Sequence, residues 1–275
     1  TGTVSGTLSN GTFSGQWQTN VSTLGTCVLT LNEPQPPRAA DHTFTWSKFR
    51  DWVFEAPERL HDFVYRGHSD SSHVLLTSFH RVGRRNIARY AAEDVARLHR
   101  YVEATLGCRF DLEQGFDYGA LLNLAQHHSF PTPLLDWTES PFVAAHFAFA
   151  RLPKHSPEKW PPHVRLFAFD NERWSGPPVD SILHIRPCFQ PLQLGARHNP
   201  RALPQQSINI FSNVVDIEGF IEMAEAAKGR CLYRIDIPSS ERSVALTDLT
   251  AMGITQASLF PSLEGVCLSL AERHF

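Results

Sequence analysis

The hydrophobic pattern divides the chain near residue 43. In residues 1–31, Val4, Leu8, Phe13, Trp17 and the run from Cys27 to Leu31 lie between Gly, Asn and Ser, the pattern of short strands joined by tight turns. Two to four such strands are marginal alone, so they are expected to lean on the next domain. The absence of a starting Met further suggests the tail of a β unit that continues upstream. Residues 32–42, with Pro34, Pro36 and Pro37, read as a linker.

Beyond it, Trp46, Phe49, Trp52 and Val53 recur at helical spacing behind Thr45, a capping-type residue. Phe63 to Gly67 alternates as a short strand. An apolar stripe through Ile87, Tyr90, Ala91, Val95, Leu98 and Val102 predicts a long amphipathic segment from about Arg84 to Leu106. Phe116 to His127 predicts a helix broken by Pro131 and Pro133, and Leu134 to Trp137 a buried strand. Pro141 suits the first turn of the next helix, whose Ala144, Ala145, Ala148 and Ala150 form a small-residue face for close packing. Strands are expected at Val164 to Phe169, Ile182 to Ile185, the segment INIF and Cys231 to Ile237, with a helix from Ile217 to Ala227. The chain then predicts a helix over Thr247 to Met252, turns at Gly253 and FPSLEG, and a last helix from Val266. Strands scattered among helices without a βαβ rhythm predict an α+β, mixed-sheet domain over residues 43–275, preceded by a small β segment. No internal repeat is evident on this reading.

Composition narrows the function classes. A chain of 275 residues with 42% hydrophobic content can bury a sizeable core, and a net charge of −3 gives no global case for nucleic acid or anionic membrane. No apolar run reaches the ~18 residues of a membrane span, and five scattered cysteines lack CxxC or disulfide-framework spacing, so a soluble cytoplasmic protein is expected. Among the fourteen histidines, His61, His68, His73 and His80 are separated by seven, five and seven positions, which match no compact zinc spacing. GxSxG, Walker and GxGxxG motifs are absent, which removes serine hydrolase, P-loop and Rossmann readings.

Two segments carry chemistry. In YRGHSD, Arg66 ends a strand and is suited to bidentate recognition of phosphate or carboxylate, while Gly67 lets the backbone turn sharply or approach a ligand. An ion pair at the core edge is the other use of Arg66. In LAQHHSFPTPLLDWTESPFVAAHFAFA, Gln126, His127, His128, Asp136, Thr138, Glu139 and Ser140 surround one apolar strand just before a helix N-terminus, a favoured ligand-binding corner. Thr138 equally fits a plain N-cap, with Asp136 bonded to backbone. Adjacent histidines on a helix point about 100° apart, so one of the pair faces a given site, and His128 is chosen for its place next to the proline break. A basic, amide-rich loop at Arg197, His198, Arg201, Gln205 and Gln206 is either an opposite wall of the site or a solvated loop.

VYRG at Val64 to Gly67, the long central motif at Leu124 to Ala150 and LFPSLEGV at Leu259 to Val266 together resemble the FRG domain family, over about Trp46 to Phe275. Ser129 stands where such sequences usually carry Gly, and Pro133 where many carry Arg. The order of an Arg-ending strand, a hydroxyl-bearing strand before an Ala-rich helix and a late acid also resembles the Arg, Ser/Thr, Glu pattern of ADP-ribosyltransferase-like folds. That second resemblance implies an NAD-consuming glycosyl transfer. Glu264 would then stabilise an oxocarbenium-like transition state, Arg66 would hold an NAD phosphate or ribose, and Thr138 would orient either one. Tyr65 or Trp137 would stack on nicotinamide, Gln126 and Gly67 would contact the dinucleotide, and His128 and Asp136 would complete the machinery. NAD, as substrate, and an unidentified acceptor are the partners this implies. Two other classes remain open: a hydrolase or nuclease built on Gln126, His128 and Asp136, and a non-catalytic ligand-sensing module.

Overall fold

The computed structural model describes residues 2–10, 12–30, 35–174, 187–192 and 199–274, in two compact units, 1–34 and 35–275. The expected strand at Ile182 to Ile185 lies outside the described residues, as do Arg197 and His198. Among the described residues no helix is long and apolar enough to cross a membrane.

The first unit is an antiparallel meander of β1 (Gly2–Ser9), β2 (Thr12–Thr19) and β3 (Leu24–Thr30). Its sequence holds a repeat that hydrophobic pattern alone does not expose: GTVSG at 2–6 recurs as GTFSG at 11–15, and the register sets Gly6 opposite Gly15. The Phe13 ring lies over both of those glycines and the Trp17 ring over Gly25, each in the space a Cβ would take.

The second unit is built on a mixed seven-stranded sheet in the order β4-β10-β7-β5-β6-β9-β8, parallel at β4–β10 and antiparallel elsewhere. Its strands are β4 (His42–Thr43), β5 (Phe63–His68), β6 (Leu134–Thr138), β7 (His163–Asp170), β8 (Phe189–Leu192), β9 (Ser207–Ser212) and β10 (Leu232–Pro238). The longer helices are α1 (Trp46–Phe54), α2 (Ala96–Leu106), α3 (Gly115–His127), α4 (Pro141–Ala150), α5 (Ile217–Lys228), α6 (Arg242–Ala251) and α7 (Leu263–His274). The expected α+β class with a mixed sheet therefore holds.

Strand alternation splits the core between the two sheet faces. Phe63 and Tyr65 of β5, with Leu166 and Ile235, pack against α1, α4 and α6, whereas Val64, Trp137 and Phe167 face the layer containing α5. A third cluster gathers Phe79, Tyr90 and Val95 against α3. The segment expected to be amphipathic is helical from Ile87 to Leu106, but Tyr90–Val95 is wound as a wider π helix before α2. α6 begins earlier than its sequence pattern implied, and α7 opens at Leu263, inside the segment read as a turn.

The second unit reaches back into the stretch expected to be a linker. Arg38 forms a bidentate pair with Asp216 at 2.9 and 3.0 Å, and the main chain of Asp41 bonds to Arg234. Arg234 is itself buried against Glu218, and Arg165 against Asp236 at 2.7 Å, so each buried charge has its partner.

Candidate functional site

β5 and β6 are paired through Tyr65 and Thr138, the one register pair between them, and the strands part beyond it. A cavity of about 290 Å³ opens there, walled by β5, β6, the C-terminal turn of α3, α4 and the segments around Asn199 to Ser207 and Phe260. Its volume is near the lower bound of ligand pockets, which begin at about 300 Å³.

Arg66 leans across the gap. Its Nη1 donates to the main-chain oxygen of Asp136 and its Nε donates to His68 Nε2 at 3.1 Å. His68 must therefore accept at Nε2 and donate from Nδ1, which faces the carbonyl of His73 at 3.2 Å, so the neutral Nδ1–H tautomer is selected. Burial pushes the His68 pKa well below its usual value, and the neighbouring Arg66 charge lowers it further. Burial also lowers the Arg66 pKa, to about 10, against the opposing pull of Asp136.

The Asp136 carboxylate is oriented by a short relay. The Thr132 hydroxyl donates to Gln126 Oε1, which turns the Gln126 amide so that Nε2 donates to Asp136 Oδ1. Water reaches the carboxylate through the cavity mouth, yet protein surrounds it, and this enclosure raises its pKa from the ordinary value. Arg66 and the Gln126 bond partly offset that rise. Arg151 and Arg201 also line the cavity, so three guanidiniums and one carboxylate meet there among the described residues. Arg201 lies 4.9 Å over the Phe260 ring, which meets Phe147 edge to face at 6.0 Å, and together these form an aromatic wall. An amide chain completes the far side: Asn199 donates to Asn123 at 2.9 Å, and Gln205 donates to the Leu259 carbonyl at 3.1 Å.

Of the residues expected from sequence, Tyr65, Arg66, Gly67, Gln126, Asp136, Trp137 and Thr138 border the cavity. His128 and Glu264 do not. His128 caps α3 and is exposed, while His127, one position earlier, lines the cavity. The 100° step between neighbours on a helix decides this, and closeness to the proline break does not. Glu264 is exposed in the first turn of α7, because the FPSLEG segment starts a helix and directs Phe260, not the acid, to the cavity.

Several expected roles also change. The Tyr65 ring is buried with Phe63, its hydroxyl donating to the Arg59 carbonyl, and Trp137 packs between Phe169 and Phe189. Neither ring is free to stack on a ligand, and the other aromatic rings lining the cavity are those of Phe147 and Phe260. Thr138 is not the N-cap of α4: its hydroxyl donates to the Gln205 carbonyl at 2.8 Å and accepts from the Ser140 N–H at 3.1 Å, and Ser140 is the N-cap. Gly67 serves helix packing, since a Cβ there would lie 2.0 Å from the Ala144 carbonyl oxygen. Arg151, Arg201, Phe147 and Phe260 were absent from the sequence-derived catalytic and binding set. Arg201 lay in the basic, amide-rich loop, and Phe147 and Phe260 lay inside the segments that carry the family resemblance, but none of them was given a catalytic or binding role.

The backbone at Ser129 explains why glycine is usual at this position. It has φ 64°, directly after the α3 cap, a left-handed position that glycine occupies without strain.

Neither a curated protein nor a solved structure matches the chain. Residues 61–156, which carry Arg66, Gln126, His127, Asp136 and α4, match the family model of the FRG domain.

Proposed function

We propose that the cavity binds a phosphate-bearing nucleotide and cleaves its N-glycosidic bond, with NAD as the substrate and ADP-ribose passed to water or to an acceptor. The observation that carries this reading is the meeting of Arg66, Arg151 and Arg201 with one carboxylate, Asp136, in a cavity with an aromatic wall. Arginines suit the phosphates, whose charge is present in ground and transition states alike. Asp136 takes the role that sequence resemblance gave to Glu264. As nicotinamide leaves with the bonding electron pair, positive charge develops at the ribose carbon, and an oriented carboxylate stabilises it.

His127 is kept neutral by burial and by the nearby Arg201, so it is able to take the proton of the attacking hydroxyl. Hydrolysis then balances as NAD and water giving ADP-ribose, nicotinamide and a proton.

The test is nicotinamide release from NAD by the wild-type chain and by Asp136→Asn, each with binding followed by calorimetry. Release by the wild type and a fall of ~100-fold or more in the variant, with binding retained, is the expected result. Binding without release in the wild type would leave a nucleotide-sensing module, and the enzymatic reading would be wrong.

A further inference from the structure

A second cavity, of about 550 Å³, adjoins the first along α4. Phe147, Arg151 and Phe260 belong to both linings, so the edge-to-face phenyl pair is the partition between them and Arg151 reaches both sides. The chemistry of the second chamber differs from that of the first. Ala150, Leu152, Pro153, Leu268 and Ala271 give it apolar walls, and no carboxylate lines it among the described residues. Lys154 and Arg242 make its rim basic.

His146 also borders this chamber. It is 2% exposed, and its Nδ1 has no hydrogen-bond partner among the described residues. That atom is closed off from solvent, so the polar groups a ligand in the chamber would meet are those of the lining residues Gln256 and His155. The chamber thus combines what a nucleobase needs, apolar and aromatic faces with polar side chains at its edge, with a cationic passage toward the first cavity.

We infer that the two chambers bind one dinucleotide, with the reacting nucleoside beside Asp136, the diphosphate at Arg151, and the remote nucleoside beyond the Phe147–Phe260 partition. This rests on the proposed use of the first cavity, with NAD as substrate, and adds the place where the remote half of that dinucleotide is held, from which a preference over a mononucleotide follows. The remote half supplies binding energy away from the reacting bond, which holds the substrate in register for chemistry.

The experiment compares ADP-ribose, NAD and nicotinamide mononucleotide by calorimetry on the full chain, wild type and Leu268→Trp. Leu268 is 49% exposed on α7, so the larger ring fills chamber space without disturbing a core. The wild type is expected to bind ADP-ribose at least tenfold more tightly than the mononucleotide, and the variant to lose most of that preference. Equal affinities in the wild type, or a preference that Leu268→Trp leaves intact, would overturn the two-chamber assignment. If the variant keeps ADP-ribose affinity and water-dependent nicotinamide release but loses transfer to lysate protein, the second chamber is an acceptor site and the inference is wrong. A chain that binds ADP-ribose as described yet releases no nicotinamide would refute the proposed reaction while supporting the dinucleotide site.

Discussion

Gly67→Ala tests how the site is built, because it adds one methyl group at a close approach between the strand that carries Arg66 and the helix capped at its C-terminus by Arg151. The new Cβ would meet the Ala144 carbonyl oxygen at 2.0 Å, with Ala144 C and Ala148 N both at 3.0 Å. All three are backbone atoms of α4, so no side-chain rotation relieves the overlap. Ordinary contact begins at 3.4 Å, so helix and strand must separate by more than 1 Å. That displacement also pulls Ala144, Ala145, Ala148 and Phe149, each 0% exposed, away from their neighbours. A radial gap of about 0.5–1 Å already forfeits a quarter to a half of each dispersion contact.

Overpacking alone costs about 1–3 kcal/mol, and with the lost contacts the expected destabilisation is about 3 kcal/mol or more, out of about 5–15 kcal/mol for a typical native protein. Urea unfolding followed by tryptophan fluorescence measures it. Gly115→Ala is the control: nothing lies within 4 Å of its Cβ and it opens α3, so that variant should be neutral or gain up to about 1 kcal/mol. A Gly67→Ala midpoint shift equivalent to less than about 1 kcal/mol, at unchanged m, would refute the close-packing account.

Four further outcomes are expected. Asp136 must be ionised to act, and its pKa is raised, so nicotinamide release should lose its acid limb above the ordinary 3.8; Gln126→Leu, which removes a bond that lowers that pKa, should move the limb higher still. The same shift means the unfolded chain releases this proton first, so stability falls as pH rises through 3.8 and the folded-state value; Asp136→Asn should therefore unfold at higher urea than wild type at pH 7. His68→Ala removes the acceptor that holds Arg66 Nε and should raise KM for NAD roughly tenfold with a smaller change in kcat, whereas His68→Gln, which keeps an acceptor, should recover part of the loss. Ser129→Gly relieves a left-handed residue at φ 64° and should stabilise the chain by about 0.5–1 kcal/mol in the same urea assay.

Most of the second unit was legible because its elements obey simple periods. β5, β7 and β10 alternate or run apolar, and α1 and α3 begin and end close to where their cap residues and prolines place them. Illegible elements were those whose stability comes from elsewhere. β4 is two residues long and exists because His42 and Thr43 pair in parallel with Ile235 and Asp236, some two hundred positions away. The π stretch at Tyr90–Val95 leaves the apolar stripe readable but shifts its phase, which a count of spacings at 3.6 residues does not reveal.

The site divides the same way. YRG was read as three neighbours serving one ligand, but in a strand they point alternately, and only Arg66 lies on the face that crosses the gap. Tyr65 is anchored in the core through the Arg59 carbonyl and Gly67 admits α4 at close range, so two of the three letters of the motif fix the geometry that the third uses. Asp136 shows the converse, since its role depends on Thr132 setting the Gln126 amide. Those three residues lie within one contiguous segment, whereas Arg201 and Phe260 come from segments with no periodicity to show that they meet it. Local motifs thus specify one carboxylate and one guanidinium, while the tertiary fold brings Arg151, at the end of α4, and Arg201, from a distant loop, to the same cavity as its second and third positive charges.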